Sequence, residues 1–211
     1  ISRTQRLKLQ LQEREQQPNT FHLCDPPMYK KDIPYNFSPY LKSRGIGEDI
    51  QRKFKIFEKA DECKVYMPVF AEDGKYLYFN ARSTKEKAFF IEPGAEKCLA
   101  YIEEIDFSKP IAICESQIDA MSLWQLGMQA VATLGASNIN ALRPLLKSTS
   151  VFILAFDSDV AGIKATQEAT KALGTYRCVK LNWTPDFKDV NEALQELGEE
   201  LCKDYLNDIT G

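Results

Sequence analysis

The sequence predicts an α/β protein, a compact doubly wound parallel sheet preceded by a small mixed α+β subdomain. From residue 110 onward, short apolar runs alternate strictly with helix-patterned segments. That is the pattern of parallel strands joined by helical crossovers that cover both faces of one sheet. Ahead of it, two β-rich runs flank Ala71-Glu72-Asp73-Gly74, whose Asp-Gly pair is a strong hairpin signal. Size and composition, 211 residues with 44% apolar and 27% charged, allow one domain or one plus a small appendage. Ten Gly and ten Pro are too few for a collagen-like or low-complexity chain, and no apolar stretch is long enough to span a bilayer. Membrane-spanning and fibrous classes are excluded on these grounds. The chain opens on Ile1, and Ser2-Arg3-Thr4-Gln5-Arg6 lacks the apolar core of a signal peptide, so it reads as a fragment of a longer cytosolic chain.

Residues 1–37 read as an N-terminal helix and linker. A Gln-rich, charged stretch over 2–17 carries a thin apolar row at Leu7 and Leu11, and Pro18, Pro26, Pro27, Pro34 and Pro39 keep the next segment extended or irregular. Residues 38–109 read as a basic N-terminal subdomain. Ser38 and Pro39 open a short helix and Gly45 closes it, with Ser at the N-cap, Pro at the first helical position and Gly past the end. A second short helix follows over 48–54, then strands over 64–70, 75–82 and 88–91, then Pro93-Gly94 and a helix over 95–103. Residues 110–211 carry strands over 111–114, 130–133, 151–156 and 176–181. Helices are expected over 117–126, 138–147 and 161–173, and a last one opens over 190–195; Gly127 and Gly174 supply two of the stops.

Net charge is −3 overall, but it runs +4 over residues 1–64, −2 over 65–109 and −5 over 110–211. The mean argues against a generic nucleic-acid binder, while the division leaves a basic front and an acidic back to be explained. Six scattered cysteines and one histidine, His22, include no C-x-x-C pair. A zinc site is not expected, His22-Leu23-Cys24 is a coincidental spacing, and the thiols read as free in a reducing compartment.

The acids fall at strand ends. Glu115 follows the first strand of the sheet directly, Asp157 and Asp159 follow the third, and Asp186 and Asp189 lie in the loop after the fourth. Ligands of open parallel sheets sit beyond the carboxyl ends of the strands. Several carboxylates there would repel and raise one another's pKa unless a cation offset them. Mg²⁺ or Mn²⁺ suits hard oxygen donors and typically takes one or two carboxylates plus substrate phosphate. Capping of the following helix accounts for any single Asp; it does not account for three strand ends at once. Asp119, four residues past Glu115, is expected on the next helix with local hydrogen bonds. Gly135 and Gly162 read as backbone devices, Trp124 and Phe156 as core.

These residues carry a resemblance. Ile113-Cys114-Glu115-Ser116-Gln117-Ile118-Asp119-Ala120, Thr133-Leu134-Gly135-Ala136 and Phe156-Asp157-Ser158-Asp159-Val160-Ala161-Gly162 resemble the glutamate, glycine and D-x-D motifs of a Toprim domain, and within it the DnaG-type primases of bacteria and phages. Lys188-Asp189-Val190-Asn191-Glu192 resembles their third acidic motif, with Asn191 where a second Asp is usual. Upstream, Tyr40-Leu41-Lys42-Ser43-Arg44-Gly45-Ile46, the hairpin ending in Asn80-Ala81-Arg82, and Lys87-Ala88-Phe89-Phe90 are similar to segments of the primase catalytic core. The resemblance covers residues 38–196. It implies a Toprim-type fold for 110–211 and a nucleotidyltransferase that makes short RNA primers on single-stranded DNA from ribonucleoside triphosphates. Glu115, Asp157 and Asp159 would be catalytic and hold Mg²⁺ or Mn²⁺, with Asp189 on a further ion. Arg82, Lys87 and Arg44 would contact template or nucleotide; by composition alone Arg82 and Lys87 read as solvated hairpin charges. The family's zinc-binding module has no counterpart in these residues and no helicase-binding domain follows. A replicative helicase or a separate zinc module is therefore the implied partner, in the cytoplasm of a bacterium or of a host to a phage or plasmid. The competing readings are a nuclease-like Toprim enzyme, a non-catalytic Toprim module, and a haloacid-dehalogenase-type phosphatase using Asp157 and Asp159, which would leave Glu115 without a role.

Overall fold

The computed structural model describes residues 37–210; the expected N-terminal helix and linker, and the His22-Leu23-Cys24 spacing, lie outside them. Ser38 caps helix α1 (Pro39–Ser43), its hydroxyl accepting the Leu41 N–H at 3.1 Å with Pro39 in the first turn. Helix α2 (Glu48–Lys53) follows. Strands β1 (Phe57–Lys59), β2 (Lys64–Phe70), β3 (Tyr76–Ser83) and β4 (Phe89–Ile91) form an antiparallel sheet in that order. β1 is an addition to the sequence reading, three residues being too few to show an alternating pattern. The hairpin turns where expected, with Gly74 at φ 80° and Ala71 N–H bonded to the Lys75 carbonyl at 2.8 Å.

The helix expected over residues 95–103 does not form. Ala100 instead bridges Ala132 antiparallel, exchanging N–H···O bonds of 2.9 and 3.2 Å, and Tyr101 takes φ 70°. Only a 3₁₀ turn remains, Ile102–Glu104. Both Ala100 and Tyr101 are fully buried, so pairing with a sheet edge and burial there outweigh a local helix propensity worth tenths of a kcal/mol per residue.

The second sheet is parallel, with strands β5 (Ile111–Cys114), β6 (Ala130–Ala132), β7 (Phe152–Leu154) and β8 (Cys178–Lys180) in the order β6-β5-β7-β8. Side chains alternate between its faces. Small residues, Ala112, Cys114, Ala130, Ala132 and Ala155, face helices α3 (Gln117–Gln125) and α5 (Val190–Ile209). Larger ones, Ile111, Ile113, Val131, Phe152, Leu154 and Phe156, face helix α4 (Val160–Leu173) and the 3₁₀ helix Ile139–Lys147. Helices thus cover both faces, as the alternation requires. The crossover expected as an α-helix is 3₁₀ because Pro144 sits inside it, removing an N–H and crowding the preceding turn. α5 bends at Gly198, whose φ of 74° and ψ of 176° are outside helical space. The small-residue face shares one buried cluster with Leu41, Phe54, Val65, Met67 and Tyr78 of the antiparallel part, which fixes that sheet against α3.

Candidate active site

β5 and β7 are neighbours at the centre of the parallel sheet, so the residues that follow them emerge side by side. Glu115 is half-buried; burial, then Asp159, push its pKa up, while the Ala136 backbone and Lys97 draw it down. The Leu134-Gly135 corner that delivers Ala136 runs through two positive φ angles, 60° and 130°. A Cβ on Gly135 would lie 3.5 Å from Lys97 Nζ, which sets the lysine against the same corner.

Asp157, also half-buried, is the focus of the acids. Burial, followed by the carboxylates of Asp119, Glu115, Asp189 and Asp159, pushes it up to about 7. Gly162 makes that approach possible, since a Cβ there would fall 2.0 Å from the Asp157 carbonyl oxygen. Asp159 and Asp189 are N-caps of α4 and α5, each accepting through Oδ1 at 2.8 Å from the N–H of Gly162 and Glu192 respectively. Capping and membership of the acidic group are therefore compatible: the cap aims each carboxylate while engaging one of its oxygens. Asp186 stands apart, exposed and bonded to Thr184 Oγ1 at 3.1 Å.

Asp119 is drawn in further than its sequence reading allowed. It bonds locally to the N-cap Ser116, accepting from Ser116 Oγ at 2.5 Å, but it also accepts the Asn191 N–H at 3.1 Å and presses on Asp157. Burial, then Asp189, raise it to about 6, against the two hydrogen bonds and Arg44. Its four-residue spacing from Glu115 was the available signal, because the first turn of α3 faces the same sheet edge. Asn191 is buried. Its Oδ1 accepts from Arg44 Nε at 2.7 Å, and its Nδ2 donates to the Arg44 carbonyl at 3.0 Å and to Ser122 Oγ at 2.9 Å. Arg44 is thereby held as a tie between α1 and α5.

The donor set is all carboxylate, which suits a hard divalent cation. Among the described residues no three His, Cys, Asp or Glu side chains close on one point as a metal-ligand group.

A groove of about 390 Å³ opens beside Glu115, walled by Met67, Asn80, Phe89 and Ile91 on one side and by Gln117 and Gly135 on the other, with Lys97 at its border. Asn80 Nδ2 donates to Gln117 Oε1 at 2.8 Å and ties the walls together. Arg82 lies between Tyr40 and Phe89, its guanidinium carbon 5.5 and 4.8 Å from the two ring centroids. Its Nε is buried without a hydrogen-bond partner. Lys87 is exposed in the β3–β4 turn. Lys97, which the sequence reading passed over, is the cation that acts on Glu115; it lies within the segment 95–103 where the expected helix does not form, so no local pattern marked it.

Residues 112–194 match the Toprim-like family (Toprim_2). This segment has a Toprim-type fold. The Toprim match begins on β5 and ends in α5, taking in every acid of the cluster. The chain is 34% identical over 144 residues to a DNA primase of Thermotoga maritima, covering 64% of this chain and 24% of that protein. It is 24% identical over 196 residues to a Twinkle homolog protein, chloroplastic/mitochondrial, of Arabidopsis thaliana, covering 80% and 27%. The chain thus spans about a quarter of the length of these curated relatives. Among solved structures, the primase fragment of the bacteriophage T7 primase-helicase protein superposes with a TM-score of 0.65 at 22% identity, covering 80% of this chain and 77% of that one. The DnaG primase catalytic domain bound to ssDNA gives 0.64 at 18%, covering 81% and 70%. Residues 112–194 and the sheet before them therefore share the fold of the DnaG-type primase catalytic cores.

Proposed function

We propose that this chain is a DNA primase core, a nucleotidyltransferase that copies single-stranded DNA into short RNA primers from ribonucleoside triphosphates. The observation that supports the reading is that Asp119, Glu115, Asp189 and Asp159 all act on the carboxylate of Asp157 at the edge of a Toprim-type sheet, beside a groove of about 390 Å³ lined in part by Glu115. Glu115, Asp157 and Asp159 would hold Mg²⁺ or Mn²⁺, with Asp189 on a further ion. When bound, such an ion supplies charge stabilisation at the attacking 3′ oxygen and the departing pyrophosphate.

The side chains contribute by position and charge. Asp157 gives a half-buried carboxylate raised by its neighbours, and Asp159 and Asp189 are aimed by their helix caps. Lys97, at the border of the groove beside Glu115, would meet nucleotide phosphate. Arg82, held between two rings, and Lys87 would meet phosphates of the template. Arg44 commits its Nε to Asn191 and would act chiefly by holding α1 in place, which makes it the weakest of the three basic candidates for direct contact. Residues 1–37, 38–109 and 110–211 would serve as linker, N-terminal subdomain of the core and metal-binding domain. A helicase or a zinc module as partner is supported by the T7 match, a fragment of a primase-helicase protein, and by the Aquifex aeolicus primase structure, which contains zinc-binding and RNA polymerase domains. No helix among the described residues is long and apolar enough to cross a membrane.

The test is incubation with single-stranded DNA, ribonucleotides and Mg²⁺ or Mn²⁺. Metal-dependent oligoribonucleotides are expected, and Asp157→Ala or Asp159→Ala should abolish them without unfolding the protein. Synthesis that survives either substitution overturns the metal assignment. Shortening of the DNA would indicate a nuclease-like Toprim enzyme, and phosphate release from a small phosphoester without DNA a phosphatase.

A further inference from the structure

β4 is an unusual edge strand. Phe89, Phe90 and Ile91 are 58%, 43% and 39% exposed, and among the described residues the strand pairs with β3 alone. Edges are ordinarily protected by charge, proline or a covering element, because exposed apolar edges invite association. Here the apolar side chains belong to the groove. Phe89 pairs with Arg82 and Ile91 with Asn80, so Phe89 and Ile91 project to the same face as those two residues and wall the groove across from Gly135 and Glu115.

The surroundings of Phe89 say what would cover it. The Arg82 guanidinium carbon stands 4.8 Å from its ring centroid, while more than half of the side chain stays open to solvent. Lys87 is exposed two residues before it, and Lys97 borders the same groove. An exposed ring backed by a guanidinium, among further cations and beside a carboxylate cluster, matches what a single nucleic-acid strand presents, flat apolar bases on an anionic backbone. A protein strand adding to the β4 edge would use its backbone groups and would have no need of the cations.

We infer that Phe89, backed by Arg82, is a stacking platform for an unpaired base of the strand lying in the groove beside Glu115, with Ile91 as its apolar neighbour. The inference rests on the proposed primase reading for the identity of that strand and adds how it is gripped. Stacking tolerates any base, so the platform holds the strand without reading it.

Single-stranded DNA carrying 2-aminopurine tests the platform, with anisotropy for affinity and 2-aminopurine quenching for stacking. Phe89→Leu keeps an apolar side chain and removes the ring. It should weaken binding about 5- to 100-fold, the range that base–aromatic stacking supports, and lose the quenching, while the slope of log affinity against log salt stays as in the wild type. Phe89→Trp should retain both affinity and quenching. Lys87→Ala should instead lower the salt slope by about 0.7, as loss of one single-strand phosphate contact does. If the wild type binds DNA and Phe89→Leu binds and quenches equally, or if Phe89→Trp is as weak as Phe89→Leu, the platform is overturned and the primase reading stands. If the wild type binds no single-stranded DNA at low salt, both fall.

Discussion

Asp157 shows what the acidic group costs the protein when no cation offsets it. A carboxylate pushed up to about 7 by burial and four neighbouring acids destabilises the fold wherever it is ionised. Asp157→Asn should therefore raise the melting temperature in EDTA at pH 8 and remove most of the increase that Mg²⁺ gives the wild type; an unchanged Mg²⁺ response would mean that the ion binds elsewhere. Glu103 carries a similar load away from the site. It is half-buried, its Oε2 has no hydrogen-bond partner, and burial first, then Glu104, push it up to about 7 against Lys55 and Lys53. The unfolded chain releases this proton near the ordinary 4.5, so between about pH 4.5 and 7 the folded state binds more protons than the unfolded one and stability falls as pH rises. Glu103→Gln should leave urea stability nearly unchanged at pH 5 and add about 1–3 kcal/mol at pH 8. A variant with the wild-type difference between those two pH values would show that Glu103 ionises freely in the fold.

At the scale of elements, the turn into α4 is the tightest constraint. A methyl group at residue 162 would lie 2.0 Å from the Asp157 carbonyl oxygen, and a backbone atom cannot swing aside as a side-chain tip does. Gly162→Ala should therefore displace either the helix or the Asp157 loop, lowering stability by roughly 2 kcal/mol or more and abolishing metal-dependent activity together with it; wild-type behaviour in both would mean that the loop relaxes freely. The sequence made this glycine visible as a backbone device but not its partner. Elements with local causes were legible: the Ser38-Pro39 start, the Asp73-Gly74 turn and the Gly174 stop each follow from a residue's own conformational limits. The segment 95–103 was not, because Ala100 is claimed by Ala132, 32 positions away in sequence, and no window over 95–103 contains that partner.

At the scale of the whole molecule, Asn191 joins parts that lie 147 residues apart. It donates to the Arg44 carbonyl and Ser122 Oγ and accepts from Arg44 Nε, linking α1, α3 and α5 beside the acids. Asn191→Asp, the residue more usual in the primase pattern, would set a carboxylate oxygen against the Arg44 carbonyl and add charge next to Asp119. Urea unfolding should show a loss of about 2–4 kcal/mol; a smaller loss would mean that Arg44 re-pairs with the new carboxylate. In sequence, Asn191 read only as a missing acid, since its partners come from two other elements. The sequence by itself determined the alternation of strands and helical crossovers from residue 110 onward and hence the parallel sheet, because apolar periodicity and turn chemistry are local. Topology then sent Glu115 and Asp157 to one edge, because parallel strands end together. Only the tertiary structure decided that Asp119 joins them, that Lys97 borders them, and that Arg44 is a tie and Arg82 a stacked cation. Those roles are set by distances between segments far apart along the chain, where burial and charge act through space.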